Sequence, residues 1–231
     1  MRTVRAAIAA AGLVALAGCV TPPQLPVPLA KEALDPAAGS IAVALPSIAK
    51  PAVDFSSAGC LLCLMAASVA NSDLSKHADK LTYEDLGKLR NEIVALLRKK
   101  GVNAQPTDNV VDVRGLPPYK TEAPNVARQD FTGFRAKVQA DRLLVVSITS
   151  LGFVRAYSAY FPVGAPQATL KGAVFIVNLK SNRYEYYLPL NFVRASDGAW
   201  DEPPAFPGLT NAYYQVIELG RDAILKPLDR P

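Results

Sequence analysis

The stretch Leu143-Leu144-Val145-Val146-Ser147-Ile148-Thr149 decides the fold. It carries no charge, and Val145, Val146, Ile148 and Thr149 are β-branched, stiff at χ1 and suited to a pleated surface. It predicts a strand. Two further extended segments, residues 169–179 and 184–193, flank Ser181-Asn182-Arg183, which reads as a hairpin turn. Between the first strand and this hairpin, Phe153 to Phe161 continues in extended form, and Pro162-Val163-Gly164-Ala165-Pro166 makes a turn. The carboxyl-terminal half therefore predicts an antiparallel meander of three long strands.

Upstream of the meander the period changes from two to that of a helix. Leu86, Leu89, Ile93, Leu96 and Leu97 recur on one helical face, Thr82-Tyr83-Glu84-Asp85 has the shape of a capping box, and Gly101 ends the segment as a C′ glycine. Arg98-Lys99-Lys100, the longest basic run, complements the dipole at that helix end. Leu61 to Ala70 starts an apolar, Ala-rich helix that continues through polar residues towards Lys80. Residues 41–45 and 52–55 are short strand candidates broken by Pro46 and Pro51, and residues 102–104 and 110–113 look extended. Residues 115–125 form a Pro-rich loop, and Phe131 to Gln139 a short amphipathic helix. Pro203, Pro204, Pro207 and Gly208 mark a loop, after which Thr210 caps a final helix carrying Tyr213, Tyr214, Val216, Ile217 and Ile224. Helices first, strands next and a helix last predict an α+β fold. Its sheet is mainly antiparallel, three- to five-stranded and covered by helices on one face, in two layers.

The amino terminus has its own logic. Met1 to Arg5 is a short basic region, and Ala6 to Ala17 follows with no charge, too short to span a bilayer, which takes about 20 residues. The run ends in Leu16-Ala17-Gly18-Cys19, which resembles the lipobox of bacterial lipoproteins. That resemblance implies cleavage before Cys19, lipid on the Cys19 thiol, and a chain that is anchored without spanning. Val20 stands where the resembled sorting pattern would place Asp for inner-membrane retention, which implies the outer membrane and a periplasm-facing domain. Residues 1–18 are read as the signal peptide and residues 19–39, with Pro22, Pro23, Pro26, Pro28 and Pro36, as a lipidated semi-rigid tether. Residues 40–231 are read as a single α+β domain.

A second, partial resemblance covers residues 82–190. A Leu-rich helix ending in Lys-Lys-Gly-Val, followed by Ala140-Asp141-Arg142-Leu143-Leu144-Val145-Val146 and a strand pair, is similar to small α/β modules of envelope proteins. Examples are the amino-terminal domain of the Tol-system propeller protein and the curli-secretion lipoprotein. Gly208 to Tyr214, together with Cys60-Leu61-Leu62-Cys63, looks like a set of uncharacterised proteobacterial envelope lipoproteins. Neither likeness brings a function.

Composition narrows the classes. Half the residues are hydrophobic, enough to bury a sizeable core. The formal charge of +5 includes Arg2 and Arg5, so the chain from Cys19 onward carries about +3, without the dense basic block that nucleic-acid binding calls for.

Cys60 and Cys63 form a C-x-x-C unit at a helix start, where a thioredoxin-like centre would sit. The intervening Leu61-Leu62 is apolar, which would raise a thiol pKa. A local disulfide, a pair of buried free thiols and a redox centre all remain open. His77 is the single histidine, in a polar helical stretch that predicts a solvated side chain, and two cysteines alone make a poor zinc site. Asp197, Asp201 and Glu202 cluster near Trp200 on a Pro-rich loop, where turn chemistry accounts for them. No catalytic residue, metal or cofactor is predicted, and no small-molecule substrate is identified. The aromatic set is the candidate interface: Tyr157 and Tyr160 on one strand with Tyr184, Tyr186 and Tyr187 on another, or else cross-strand pairs that hold the sheet. The expectation is a lipid-anchored binding or assembly module for another envelope component, using the sheet face or its edge. The competing expectation is a periplasmic thiol-disulfide enzyme at Cys60 and Cys63.

Overall fold

The computed structural model describes residues 23–109 and 112–229. The lipobox and Cys19, and Val110 with Val111, lie outside the described residues. The spine is β4 (Arg142–Val154), which contains the stretch quoted above. It pairs antiparallel with β7 (Gln167–Asn178), which pairs antiparallel with β8 (Tyr184–Ala195). On its other edge β4 is joined in parallel by β1 (Ile41–Ala44) and β2 (Ala52–Asp54), and β1 pairs in parallel with β3 (Ala104–Thr107). The sheet thus has six strands and is mixed, which corrects the expectation of a mainly antiparallel sheet of three to five. The physical reason lies in the connections. Between β1 and β4 the chain makes α1 (Leu61–Ala70), α2 (Ser72–Ala78), α3 (Glu84–Lys99), β3 and α4 (Phe134–Val138), and helical crossovers return strands in parallel. Class α+β stands.

Apolar residues are buried on both faces of this sheet. Leu144, Val146, Ile148, Leu170, Val174 and Ile176 meet α3 through Leu89, Ile93 and Leu97, and meet α5 (Pro207–Asp229) through Tyr213, Val216 and Ile224. A bulge at Thr149 shifts the alternation, so Leu151 and Phe153 join the same face. On the opposite face Leu143, Val145, Phe175, Val177 and Tyr184 pack against Phe131, Phe134 and Val138 from the α4 region. Cover is therefore not confined to one face. At the far end of β4 Gly152 has φ +127, and a Cβ there would lie 2.1 Å from the Ala52 carbonyl oxygen. Glycine is what lets β2 approach.

Several local expectations change. Thr82 does not cap α3, whose N-cap is Tyr83 with no side-chain cap; the Thr82 carbonyl instead accepts from the Tyr213 hydroxyl at 3.1 Å. Packing of α5 has claimed that turn, and Glu84 and Asp85 still place negative charge in the first turn of α3. The final helix begins at Pro207, whose fixed φ suits a first helical position, and Thr210 lies inside it, donating to the Phe206 carbonyl at 2.9 Å. The aromatic stretch after β4 is a small hairpin of β5 (Tyr157–Ser158) and β6 (Phe161–Pro162), reversing at Ala159 (φ 53). Val113 belongs to a 3-10 turn, Val113–Gly115.

The segment read as a spacer lies on the domain from Gln24 onward. Val27 exchanges two backbone hydrogen bonds of 2.9 Å with Tyr187, Ala30 N–H donates to the Glu185 carbonyl at 2.8 Å, and Ala33 is buried. Buried Arg142 fastens it further, donating to the Glu185 carboxylate and the Ala38 carbonyl, while Asn178 Nδ2 donates to Glu185 at 2.9 Å. No helix among the described residues is long and apolar enough to cross a membrane.

Candidate functional site: a cleft on the half-covered sheet face

The site arises from how β4 is edged. β1 pairs with residues 142–145 and β2 with residues 152–154, so between them β4 faces the turn 45–51, bent by Pro46 and Pro51, in place of a strand. On the face opposite α3 and α5, cover by α4 stops at this level. A cleft of about 590 Å³ opens there. Its floor is made of small side chains, Ser147, Gly172 and Ala173; Pro46, Ser47 and Ala49 form one wall, and Phe175, Tyr184 and Tyr187 the other. Asp112, Arg114, Arg128, Gln129 and Gln24 complete its lining.

The aromatic wall depends on a second bulge. Val177 pairs with Tyr184 and Ile176 with Tyr186, leaving Glu185 as the extra residue, so Tyr184 and Tyr187 share a face although three positions apart. Their ring centroids lie 5.1 Å apart, and those of Phe175 lie 5.5 Å from Tyr184 and 6.1 Å from Tyr187. Burial raises the Tyr184 phenol well above its ordinary pKa, with Tyr187 adding to the shift and the Arg128 charge opposing it. Burial likewise raises Tyr187. Both phenols therefore stay protonated and can donate or accept hydrogen bonds at any physiological pH.

The loop that carries Arg128 and Gln129 is held in place by the hairpin at Ser181-Asn182-Arg183. Asn182 is fully buried at φ 56, a left-handed conformation that asparagine tolerates. Its Nδ2 donates to the carbonyls of Ala127 (3.0 Å) and Gln129 (2.9 Å), and its Oδ1 accepts from Phe131 N–H (3.0 Å). That clamp fixes residues 127–131 across the sheet and presents Arg128 and Gln129 to the cleft. Small residues on the floor, neutral phenols, and the Arg114 and Arg128 side chains with the Asp112 carboxylate among them suit a ligand with an apolar body and hydrogen-bonding groups.

The five tyrosines proposed as one interface separate into three places. Tyr184 and Tyr187 line the cleft. Tyr186 is buried on the opposite face with α3 and α5, because the bulge sends it there. Tyr157 is buried against Phe55, Cys63 and Ala67 and accepts from Asn71 Nδ2 at 2.7 Å, while Tyr160 is exposed at the β5–β6 tip.

Cys60 and Cys63 are joined by a disulfide at the start of α1, where Cys60 Sγ also accepts from Cys63 N–H at 3.0 Å. Cys63 is buried and Cys60 exposed. His77 is not a solvated side chain: it is half-buried between Phe153 and Phe206, its Nε2 2.8 Å from Thr210 Oγ1. The Thr210 hydroxyl also lies 2.9 Å from the Phe206 carbonyl oxygen, to which it can donate. Burial, then the Lys80 charge, lowers its pKa. Trp200 stacks on Phe206 and lies under the Arg155 guanidinium at 4.5 Å, which gives the acidic loop around it a packing role. Among the described residues no group of three or more His, Cys, Asp or Glu converges on a point where a metal ion could sit.

Sequence reasoning missed Gln24, Ser147, Ala173, Phe175, Arg114, Arg128 and Gln129. One cue was present: the apolar positions Leu144, Val146, Ile148, Leu151 and Phe153 are spaced by two except for a single step of three, the mark of a bulge. No protein-family model matches the chain, and no curated protein is similar to it in sequence.

Proposed function

We propose that the chain is a lipid-anchored outer-membrane lipoprotein, facing the periplasm, that serves as a binding or assembly module for another envelope component. The observation that carries this reading is the cleft. It lies beside Gln24, five residues after the Cys19 of the lipidation motif. The sheet edges favour it over strand addition: β3 carries Pro106, β8 carries Pro189, and Val27 already occupies β8 at Tyr187.

Two measurements test it. Labelled palmitate should enter the wild-type chain and not Cys19→Ala; incorporation into the variant, or none into the wild type, ends the lipoprotein reading. Ala173→Phe fills the cleft, and in crosslinked envelopes it should lose a partner that the wild type retains. An unchanged crosslinking pattern would remove the cleft from the reading. A second reading, thiol-disulfide exchange, is favoured by one observation, the exposure of Cys60 at a helix start. It requires insulin reduction that Cys60→Ser abolishes.

A further inference from the structure

The ladder along β4 has a gap, and the gap opens into the cleft. Arg142 N–H donates to the Ser40 carbonyl at 3.0 Å, so even-numbered residues from Arg142 to Ile148 turn their main-chain groups towards β1. The bulge at Thr149 inverts the alternation. Arg155 N–H donates to the Asp54 carbonyl at 3.1 Å, so odd-numbered residues from Leu151 to Arg155 face β2. β1 stops at Ala44, opposite Val145, and β2 starts at Ala52, opposite Gly152. Residues 45–51 run past the stretch between them, and among the described residues they make no main-chain hydrogen bond to it.

Two features of the sequence keep the gap open. Continued in register, the parallel ladder would need an N–H from residue 46 for the Val146 carbonyl, and residue 46 is proline. Leu45 and Ile48 then pack into the α3/α5 core and hold the turn to that side of the sheet. Ile148 is left with an N–H and a C=O that point to the turn and meet no main-chain partner there. Its side chain is buried with α3 and α5, yet Ile148 lines the cleft, so it does so through its main chain.

We infer that the cleft takes a peptide segment in extended conformation, one residue of which forms a β-bridge with Ile148. The inference rests on the binding-module reading above and names the class of its ligand. A donor and an acceptor on one residue, directed the same way, match the C=O and N–H of a residue in another extended chain. An acyl chain seated here would bury both groups without partners, which is costly. The rest of the lining fits the same occupant. Phe175, Tyr184 and Tyr187 offer apolar area to a side chain, and the two phenols add polar tips. Asp112 stands with Arg114 and Arg128, so charges of both signs are present and neither sign is selected. The volume of about 590 Å³ lies within the roughly 300–1,000 Å³ typical of ligand pockets.

Amide hydrogen exchange on the full chain from Cys19 onward tests the gap directly. Ile148 N–H should exchange about tenfold faster than the N–H groups of Leu144 and Phe153, which face β1 and β2. Equal protection overturns the inference. The ligand class is tested with a phage-displayed random heptapeptide library, panned on the same chain and counter-selected on Ala173→Phe. An enriched peptide should slow Ile148 exchange about tenfold. It should also bind about tenfold more weakly when the Ile148 amide is replaced by an ester, which removes the N–H and leaves the side chain in the core. No enriched peptide, or one that binds the ester form equally well, overturns the inference. So does an ester that abolishes the thermal transition, since the N–H would then hold the fold. The crosslinking test above separates the two readings. If Ala173→Phe loses its envelope partner while no peptide is enriched, the module stands and its ligand is not a peptide; if the crosslinking pattern is unchanged, both fall.

Discussion

The two faces of one sheet are built differently although they share every strand. On the α3/α5 face β4 and β7 contribute Leu144, Val146, Ile148, Leu170, Val174 and Ile176, all buried, and two long helices seal them along their length. On the other face the same strands begin with Leu143, Val145, Phe175 and Val177 under α4, then change to Ser147, Thr149, Ala173 and Lys171. Large apolar side chains end where cover ends, and Ser147, Thr149 and Ala173 beyond them leave the cleft. The contrast teaches that the larger cluster seals one face along its length, whereas on the other the buried cluster stops under α4 and the sheet beyond it is free to vary in shape and polarity.

Removing the sealing helix should break the sealed face with the largest effect. Truncation after Phe206 strips Leu209, Tyr213, Val216, Ile217, Ile224 and Leu228, each worth about 1.5–3 kcal/mol of burial, against a typical total stability of about 5–15 kcal/mol. No cooperative thermal transition should remain. A soluble, monomeric, cooperatively unfolding fragment would show that the faces are less unequal than described.

Single substitutions sharpen the contrast at neighbouring positions of β7. Leu170→Ala, on the sealed face, should destabilise by about 2–5 kcal/mol in urea unfolding, because α5 packs against it through Gly220 and cannot fully collapse. Ala173→Phe, in the open cleft, should change stability by no more than about 0.5–1 kcal/mol. Comparable losses at both sites would mean that the cleft floor is as tightly packed as the core.

The smallest effect is alkaline. Tyr184 and Tyr187 on the open face and Tyr213 on the sealed one all have raised phenol pKa values, from burial in each case. Above about pH 10 the unfolded chain loses these protons while the folded chain keeps them, so stability falls as pH rises. Urea midpoints between pH 9 and 11 should therefore drop, and Tyr187→Phe should make the drop shallower. An unaltered slope would indicate that Tyr187 ionises freely in the cleft.

The sequence by itself determined the elements whose pattern is local. The apolar run at 143–149, the hairpin at Ser181-Asn182-Arg183, the helical repeat from Leu86 to Leu97 and its stop at Gly101 each follow from periodicity and backbone preference, and each is found. Only the tertiary structure decided what depends on pairing. Ile41–Ala44 is four residues long, and its parallel register with both β3 and β4 is set by crossovers through α1 to α4, which no local pattern encodes. Bulges at Thr149 and Glu185 reassign side chains between faces, which separates Tyr186 from Tyr184 and Tyr187. Cleft residues from positions 24, 46, 47, 49, 114, 128, 129, 147, 173, 184 and 187 meet only because long-range hydrogen bonds such as those of Asn182 fold distant loops over one patch of sheet. A strand face repeats every two residues and can be read along the chain, whereas a binding site is a coincidence of faces and becomes legible only once the strands are side by side.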